Sequence, residues 1–152
     1  MPHARQQIRA KFKSLLTGLT YTGNNVYVSK VYNSNKAKLP NLNIWTKDDE
    51  TDHDKTTVNY RTEHELLVVV EVRARPVTGV AVDDRCDDIA AEVETKISTD
   101  PTLGGLVQRA VISSSNFDAS GEAERPTGLL RMIFRLSYII YAVDPTTIVA
   151  TG

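Results

Sequence analysis

The chain has 152 residues, 41% of them hydrophobic and 24% charged, and these proportions fit one globular domain rather than two. Eighteen basic and nineteen acidic residues give a formal net charge of −1, which argues against binding of nucleic acid through bulk positive charge. Cys86 is the only cysteine, so an internal disulfide and a cysteine-rich zinc module are excluded. Arg131 and Arg135 interrupt the longest apolar run, which is therefore not expected to span a membrane, and the N-terminal residues do not resemble a secretion signal.

The charges are distributed unevenly along the chain. Residues 1–47 contain eight basic residues and no acidic one, because the first acidic residue is Asp48. The remainder holds the other ten basic residues and all nineteen acidic ones. Two explanations are open: the two sets pair within one fold, or they meet between neighbouring subunits.

The first part of the sequence predicts one helix, two short strands and a loop. Apolar residues recur at helical spacing over residues 3–17, beside a basic stripe formed by Arg5, Arg9 and Lys13. This stripe is either a solvated flank or a surface for a partner. Alternation of apolar and polar residues predicts strands over residues 26–32 and 42–46. Residues 47–57 are polar throughout and are predicted to form a mobile loop.

The second part predicts a longer strand, a second helix and two further strands. Residues 57–75 and 128–142 alternate as long strands, and residues 110–114 as a short one. Residues 83–99 place apolar residues on one helical face and carboxylates in the first turns. A mobile loop is predicted at 117–127 and a C-terminal tail at 143–152.

These elements predict a single α+β domain with a mixed, mostly antiparallel five-stranded sheet and two amphipathic helices packed on one face. Two helices cover only one face of such a sheet. The other face carries Val69, Ile133, Ile139 and Tyr141 between arginines, so we expect it to remain partly apolar and exposed. Because apolar patches of this kind usually mark interfaces, the sequence predicts an oligomer or a docking partner.

The residues that carry chemistry are few, and we predict no catalytic, cofactor-binding or metal-binding site. His64 lies between Glu63 and Glu65, but neighbouring residues on a strand point to opposite faces, so the three are not expected to share a pocket. The acidic residues of the loop at 47–57 lack the glycine and distal glutamate of a calcium-binding loop. Cys86 falls on the apolar face of the second helix and is predicted to be a core residue.

Five segments form a recognisable order along the chain. The first is the basic helix opening with Arg5-Gln6-Gln7-Ile8-Arg9 and the last is the strand through Arg131, Phe134 and Tyr138. The segments between them are Leu66-Leu67-Val68-Val69-Val70-Glu71-Val72-Arg73-Ala74, Asp87-Asp88-Ile89-Ala90-Ala91-Glu92-Val93-Glu94 and Asp100-Pro101-Thr102-Leu103-Gly104-Gly105-Leu106-Val107. In order and style they resemble the tail terminator, or minor tail protein U, family of long-tailed bacteriophages, over nearly the whole chain.

The resemblance implies a structural virion protein, made in the host bacterial cytoplasm, that forms a hexameric ring at the head-proximal end of the tail tube. Such a ring ends tube polymerisation and joins the tail to the head. The implied partners are further copies of the chain, the tail tube protein, the head–tail connector protein and DNA that passes through the lumen without sequence specificity.

Candidate residues follow for the subunit interface and for the tube contact. Those for the interface or lumen are Arg5, Arg9, Lys13, Arg131, Arg135, Ile133, Ile139 and Tyr141. Those for a loop that docks on the tube are Asp48, Asp49, Glu50, Asp52 and Asp54. The alternatives are a head-completion or connector protein of the same particle and, from another class, a cytosolic nucleic-acid-binding module that uses the basic first helix.

Overall fold

Both helices expected from the apolar spacing are present in the computed structural model, which describes residues 2–29, 39–52, 61–75, 79–120 and 127–149. Helix α1 spans Ala4–Leu16 and helix α2 spans Val82–Thr99. Helix α1 begins with a capping box, in which His3 Nδ1 accepts a hydrogen bond from the Arg5 N–H and the Gln6 side chain accepts one from the His3 N–H. Helix α2 has two carboxylates in its first turn, where the helix dipole favours them.

The strands form one mixed sheet of six strands, not five. They are β1 (Val26–Val28), β2 (Asn41–Asp52), β3 (Arg61–Ala74), β4 (Val111–Ser120), β5 (Thr127–Tyr141) and β6 (Asp144–Ile148). The order is β1-β2-β3-β5-β4, with β6 paired to the last residues of β5. Strand β1 runs parallel to β2, and all other pairs are antiparallel. The α+β class and the single domain are confirmed.

The additional strand, β6, lies in the segment that we predicted to be a C-terminal tail. Asp144 accepts hydrogen bonds from the Thr146 N–H and from the hydroxyls of Thr146 and Thr147, which fixes the turn after β5. The Val149 N–H then donates to the Ile139 carbonyl. The short polar sequence of β6 has no apolar alternation, so its pairing depends on this turn.

Part of each segment that we predicted to be a loop is strand instead. Residues 47–52 continue β2, with a bulge at Asp48, whose φ is 32°. Residues 117–120 belong to β4 and residue 127 to β5. The remaining loop positions, 53–57 and 121–126, lie outside the described residues. Pairing with the long strands β3 and β5 accounts for the difference, because each supplies enough partners to extend the neighbouring strand.

The core lies between the two helices and one side of the sheet, here called the helix side. Helix α1 packs on β1 and β2, α2 packs on β3 and β5, and the helices touch each other. Each helix is about 10 Å wide and strands are about 4.8 Å apart, so two helices cover about four strands. Strand β4 therefore lies outside the helix layer.

Gly128 allows α2 to approach β5 closely. A Cβ atom at this position would lie 2.5 Å from Val82 Cγ2 and 3.1 Å from Cys86 Sγ, both on α2. The first separation is shorter than a carbon–carbon contact allows, and the second would require the Cys86 side chain to move slightly. The absence of a side chain at Gly128 thus sets the distance between helix and sheet at this end of the core.

The other side of the sheet, here called the open side, is less exposed than we predicted. Val69 is 2% exposed, which contradicts the expectation that it would be accessible, and Ile133, Ile139 and Tyr141 are half-buried. Glu71 is also buried on this side, where its carboxylate accepts hydrogen bonds from Arg73 Nε at 2.9 Å and Arg131 Nε at 3.4 Å. The two arginines therefore cover the Glu71 carboxylate on this side of the sheet.

Candidate functional site

The most exposed stretch of the sheet is strand β4. All residues from 111 to 118 are exposed, including the large apolar side chains of Val111, Ile112 and Phe117, at 41%, 42% and 44%. The register places Ile112, Ser115 and Phe117 on the helix side, opposite Phe134, Met132 and Leu130 of β5. Because β4 lies outside the helix layer, Ile112, Ser115 and Phe117 are left uncovered beside α2. The surface that these three residues form is here called the β4 shelf.

The outer edge of β4 is available for pairing. No strand among the described residues pairs with that edge. Such edges are usually protected by lysine, proline or a bulge. Strand β4 has a bulge between Ile112 and Ser114, but its sequence contains no lysine, arginine or proline, and Asp118 is its only charged residue. The edge is thus weakly protected against a further strand or chain.

A cleft of about 300 Å³ separates the C-terminal half of α2 from the beginning of β4. Its lining includes Glu94 and Ile97 from α2, Val111 and Ile112 from β4, and Arg109 from the connection between these elements. The cleft continues the β4 shelf towards the core. It combines an apolar floor with one acidic and one basic side chain at its margins.

The predicted basic stripe on α1 has both intramolecular contacts and exposed surface. Arg5 Nη1 lies 3.2 Å from Asp49 Oδ2, and Arg9 Nη1 donates to Thr46 Oγ1 at 2.9 Å. Burial, and then the charge of Arg5, lower the pKa of Arg9. Lys13 is exposed in the last turn. One basic residue of the N-terminal part therefore pairs with an acidic residue beyond position 47, as the intramolecular explanation of the charge distribution expects.

Arg131 and Arg135, predicted for the interface or lumen, are both exposed on the open side of β5. Arg131 pairs with Glu71, and Arg135 Nε lies 3.1 Å from Glu65 Oε1. The half-buried residues Ile133, Ile139 and Tyr141 lie on the same side. The two predicted interface groups are thus on different sides of the sheet, with the basic stripe on the helix side.

The acidic residues assigned to a docking loop are separated by the structure. Asp48, Asp49 and Glu50 are in β2, where Asp48 and Glu50 are exposed and Asp49 points to the helix side. Asp52 is the last residue of that strand, and Asp54 lies outside the described residues. Asp49 therefore belongs to the interior of the fold rather than to a loop surface.

Asp49 is the centre of a polar cluster that sequence reasoning missed. Its carboxylate accepts a hydrogen bond from the Tyr138 hydroxyl at 2.5 Å and contacts His64 Nδ1 at 2.9 Å and Arg5 Nη1 at 3.2 Å. The His64 ring stacks on the Tyr138 ring, with centroids 5.0 Å apart. Burial, and then the Asp49 carboxylate, raise the pKa of Tyr138. The cluster joins α1, β2, β3 and β5.

The Asp49 cluster resembles a catalytic arrangement only in part. His64 Nε2 lies 3.2 Å from Thr62 Oγ1, so the imidazole of His64 contacts the Asp49 carboxylate on one side and a hydroxyl on the other. However, Asp49 contacts three donors from three elements, which is the arrangement of a structural anchor. Its signal in the sequence was weak because Asp49 and His64 meet only through the β2–β3 register. As predicted, His64 and Glu65 are on opposite sides of β3, since Glu65 pairs with Arg135 on the open side.

The other residues considered for chemistry are structural. Cys86 is buried in the core, as predicted. Burial, followed by the Asp87 and Asp83 carboxylates, raises its pKa to about 11, which disfavours the nucleophilic thiolate. Within the described ranges, no three histidine, cysteine or carboxylate side chains come together as a metal site requires.

No protein-family model matches the sequence, and no curated protein matches it either. None of the helices in the described ranges has the length and apolarity that crossing a membrane requires.

Proposed function

We propose that this protein is a structural subunit of a long-tailed bacteriophage particle. In this proposal it assembles with further copies into a hexameric ring at the head-proximal end of the tail tube, where it ends tube polymerisation and contacts the head–tail connector. The protein acts by binding other chains and not by catalysis. It is located in the virion after synthesis in the bacterial cytoplasm.

The observation that carries this proposal is the exposure of β4. A ten-residue edge strand with three exposed apolar side chains and one charge is a liability for a free monomer. A contact with another chain reduces that liability, because it covers β4 and buries the apolar side chains of Ile112 and Phe117 on the helix side. The sequence resemblance to tail terminators indicates that the other chain is a further copy.

A closed ring needs a head-to-tail interface, in which two different surfaces of each subunit meet. In this protein, β4 provides one of these two surfaces. The exposed arginines Arg131 and Arg135 lie on the open side of the sheet, away from the β4 shelf. Although each pairs with a carboxylate of β3, both remain exposed and would face DNA in the lumen when the β4 shelf is occupied.

The test is the mass of the protein in solution, measured over a range of concentrations together with negative-stain images. A ring of six subunits supports the proposal, and a ring of twelve supports a connector instead. A protein that remains monomeric at every concentration contradicts both.

A substitution on the β4 shelf tests the surface itself. Ile112→Lys is expected to abolish or strongly weaken the ring, because it places a charge where apolar contact is proposed. Val143→Lys is the matched control, since it makes the same kind of change at an apolar residue that is 84% exposed in the β5–β6 turn. If both variants assemble equally well, β4 is not the contact surface.

A further inference from the structure

The two helices carry opposite charges along their outer flanks. Helix α1 contains four basic residues and no acidic one, whereas α2 contains six acidic and two basic residues. In both helices, charged residues spaced by three or four positions fall into stripes. The direction in which each stripe points follows from the contacts of its neighbours.

The stripe on α2 faces β4. Asp83, Asp87 and Glu94 are spaced by four and seven residues, so they lie along one flank of the helix, here called the acidic stripe. Glu94 lines the cleft beside Val111 and Ile112, which fixes the direction of this flank. Glu92 is on the opposite flank, where its Oε2 accepts a hydrogen bond from the Thr20 N–H, just after α1. The acidic stripe therefore borders the β4 shelf.

The basic stripe on α1 faces the opposite margin of the helix layer. Arg5 and Arg9 contact Asp49 and Thr46, both in β2. Lys11 is on the other flank of α1, where its Nζ approaches Gly104 in the segment after α2. The stripe of Arg5, Arg9 and Lys13 therefore points away from α2. The helix layer is basic at its β2 margin and acidic at its β4 margin.

We infer that neighbouring subunits meet head to tail, with the basic stripe of one copy lying over the β4 shelf of the next and facing its acidic stripe. This inference rests on the self-association proposed above and names the surfaces that meet. The apolar floor of the shelf supplies buried area, and the two stripes supply orientation, since charge complementarity selects partner and register more than affinity.

The charges also argue against the simplest alternative, a two-fold dimer with β4 paired to β4. Such an arrangement is self-complementary, so it would bring the acidic stripe of one copy near the same stripe of its partner. Like charges at that contact oppose association. A head-to-tail contact brings unlike charges together instead, and the resulting pair keeps one unused basic stripe on one subunit and one unused β4 shelf on the other, which is the condition for ring growth.

The experiment exchanges the charges of the two stripes separately. One variant carries Asp87→Lys and Glu94→Lys, and the other carries Ala10→Glu and Lys13→Glu, which change exposed residues of α1 and leave the contacts of Arg5 and Arg9 intact. Each variant alone is expected to need about tenfold more protein to assemble, because exposed pairs contribute ~0.2–1 kcal/mol each and the introduced charges add repulsion. In the α1 variant, Lys13→Glu reverses one charge of the stripe and Ala10→Glu adds a carboxylate one turn away. An equimolar mixture of the two variants is expected to assemble as well as wild type.

Two controls distinguish an effect on the subunit contact from an effect of total charge and from loss of the fold. Asp84→Lys with Asp88→Lys changes the same charge on the outer surface of α2 and is expected to assemble within about twofold of wild type. Circular dichroism melting of each variant establishes that it is folded. Raising the salt concentration to about 0.5 M is expected to reduce the difference between the stripe variants and wild type.

Two results overturn the inference. One is an α1 variant that assembles like wild type, as a two-fold β4 contact predicts, and the other is a mixture that assembles no better than its separate components. If wild type forms six-membered rings in either case, the proposed function stands and only the head-to-tail contact is wrong. If wild type itself does not associate, the proposed function fails with it.

Discussion

Asp49→Ala is expected to lower the free energy of unfolding, because one carboxylate contacts Tyr138, His64 and Arg5. The Tyr138 side chain is fully buried, so its hydroxyl would lose its acceptor at a cost of about 1–3 kcal/mol. The His64 contact adds about 0.5–1.5 kcal/mol. Arg5 is 43% exposed and adds at most about 1 kcal/mol, since water replaces the carboxylate.

The expected total is about 1.5–5.5 kcal/mol, which for a domain of this length lowers the melting temperature by roughly 5–20 °C. Thermal unfolding monitored by circular dichroism measures it. Glu50→Ala is the control, because it removes an exposed carboxylate from the next position of the same strand and is expected to cost less than about 0.5 kcal/mol.

A double-mutant cycle with Tyr138→Phe isolates the central hydrogen bond. In the Tyr138→Phe background, Asp49→Ala is expected to cost at least about 1 kcal/mol less than in wild type, because the buried hydroxyl is no longer left without an acceptor. Equal costs in the two backgrounds would refute the role given to Asp49, as would an Asp49→Ala variant no less stable than Glu50→Ala.

Two further predictions concern the packing of α2 and the cap of α1. Gly128→Ala is expected to destabilise the fold by about 1–3 kcal/mol in chemical denaturation, because its Cβ would overlap Val82 Cγ2, and to cost clearly less in a Val82→Ala background. Burial, and then the Arg5 charge, lower the pKa of His3, so the neutral form that caps α1 is favoured in the folded state. His3 therefore contributes stability above about pH 6.5, and this stability is lost as the pH falls through its lowered pKa. The His3→Asn variant keeps a capping side chain that does not titrate. Wild type is expected to lose more stability between pH 7.5 and 5 than this variant does. An identical pH dependence of the two proteins would contradict this assignment.

Much of the fold follows from the sequence because it depends on local periodicity. The apolar spacing in residues 3–17 and 83–99 predicted both helices within one residue of their ends, and alternation predicted the long strands. The faces of β3 and β5 were assigned correctly, since strand alternation fixes which side chains share a side. The extensions of β2 and β4 were missed, because polar residues at a strand end give no periodic signal and form a strand only where a neighbour supplies partners.

The candidate surface shows most clearly what tertiary structure adds. The sequence by itself determined that the chain is one α+β domain, that its basic residues begin on the first helix and that carboxylates crowd the second. It did not determine that β4 lies beyond the two helices, because strand order and helix width together decide how much of the sheet is covered. Nor did it place the two charged stripes at opposite margins of the helix layer, since the side that a helical flank faces depends on where the helix packs. Only the tertiary contacts of Arg9 with Thr46 and of Glu94 with the β4 cleft decided that.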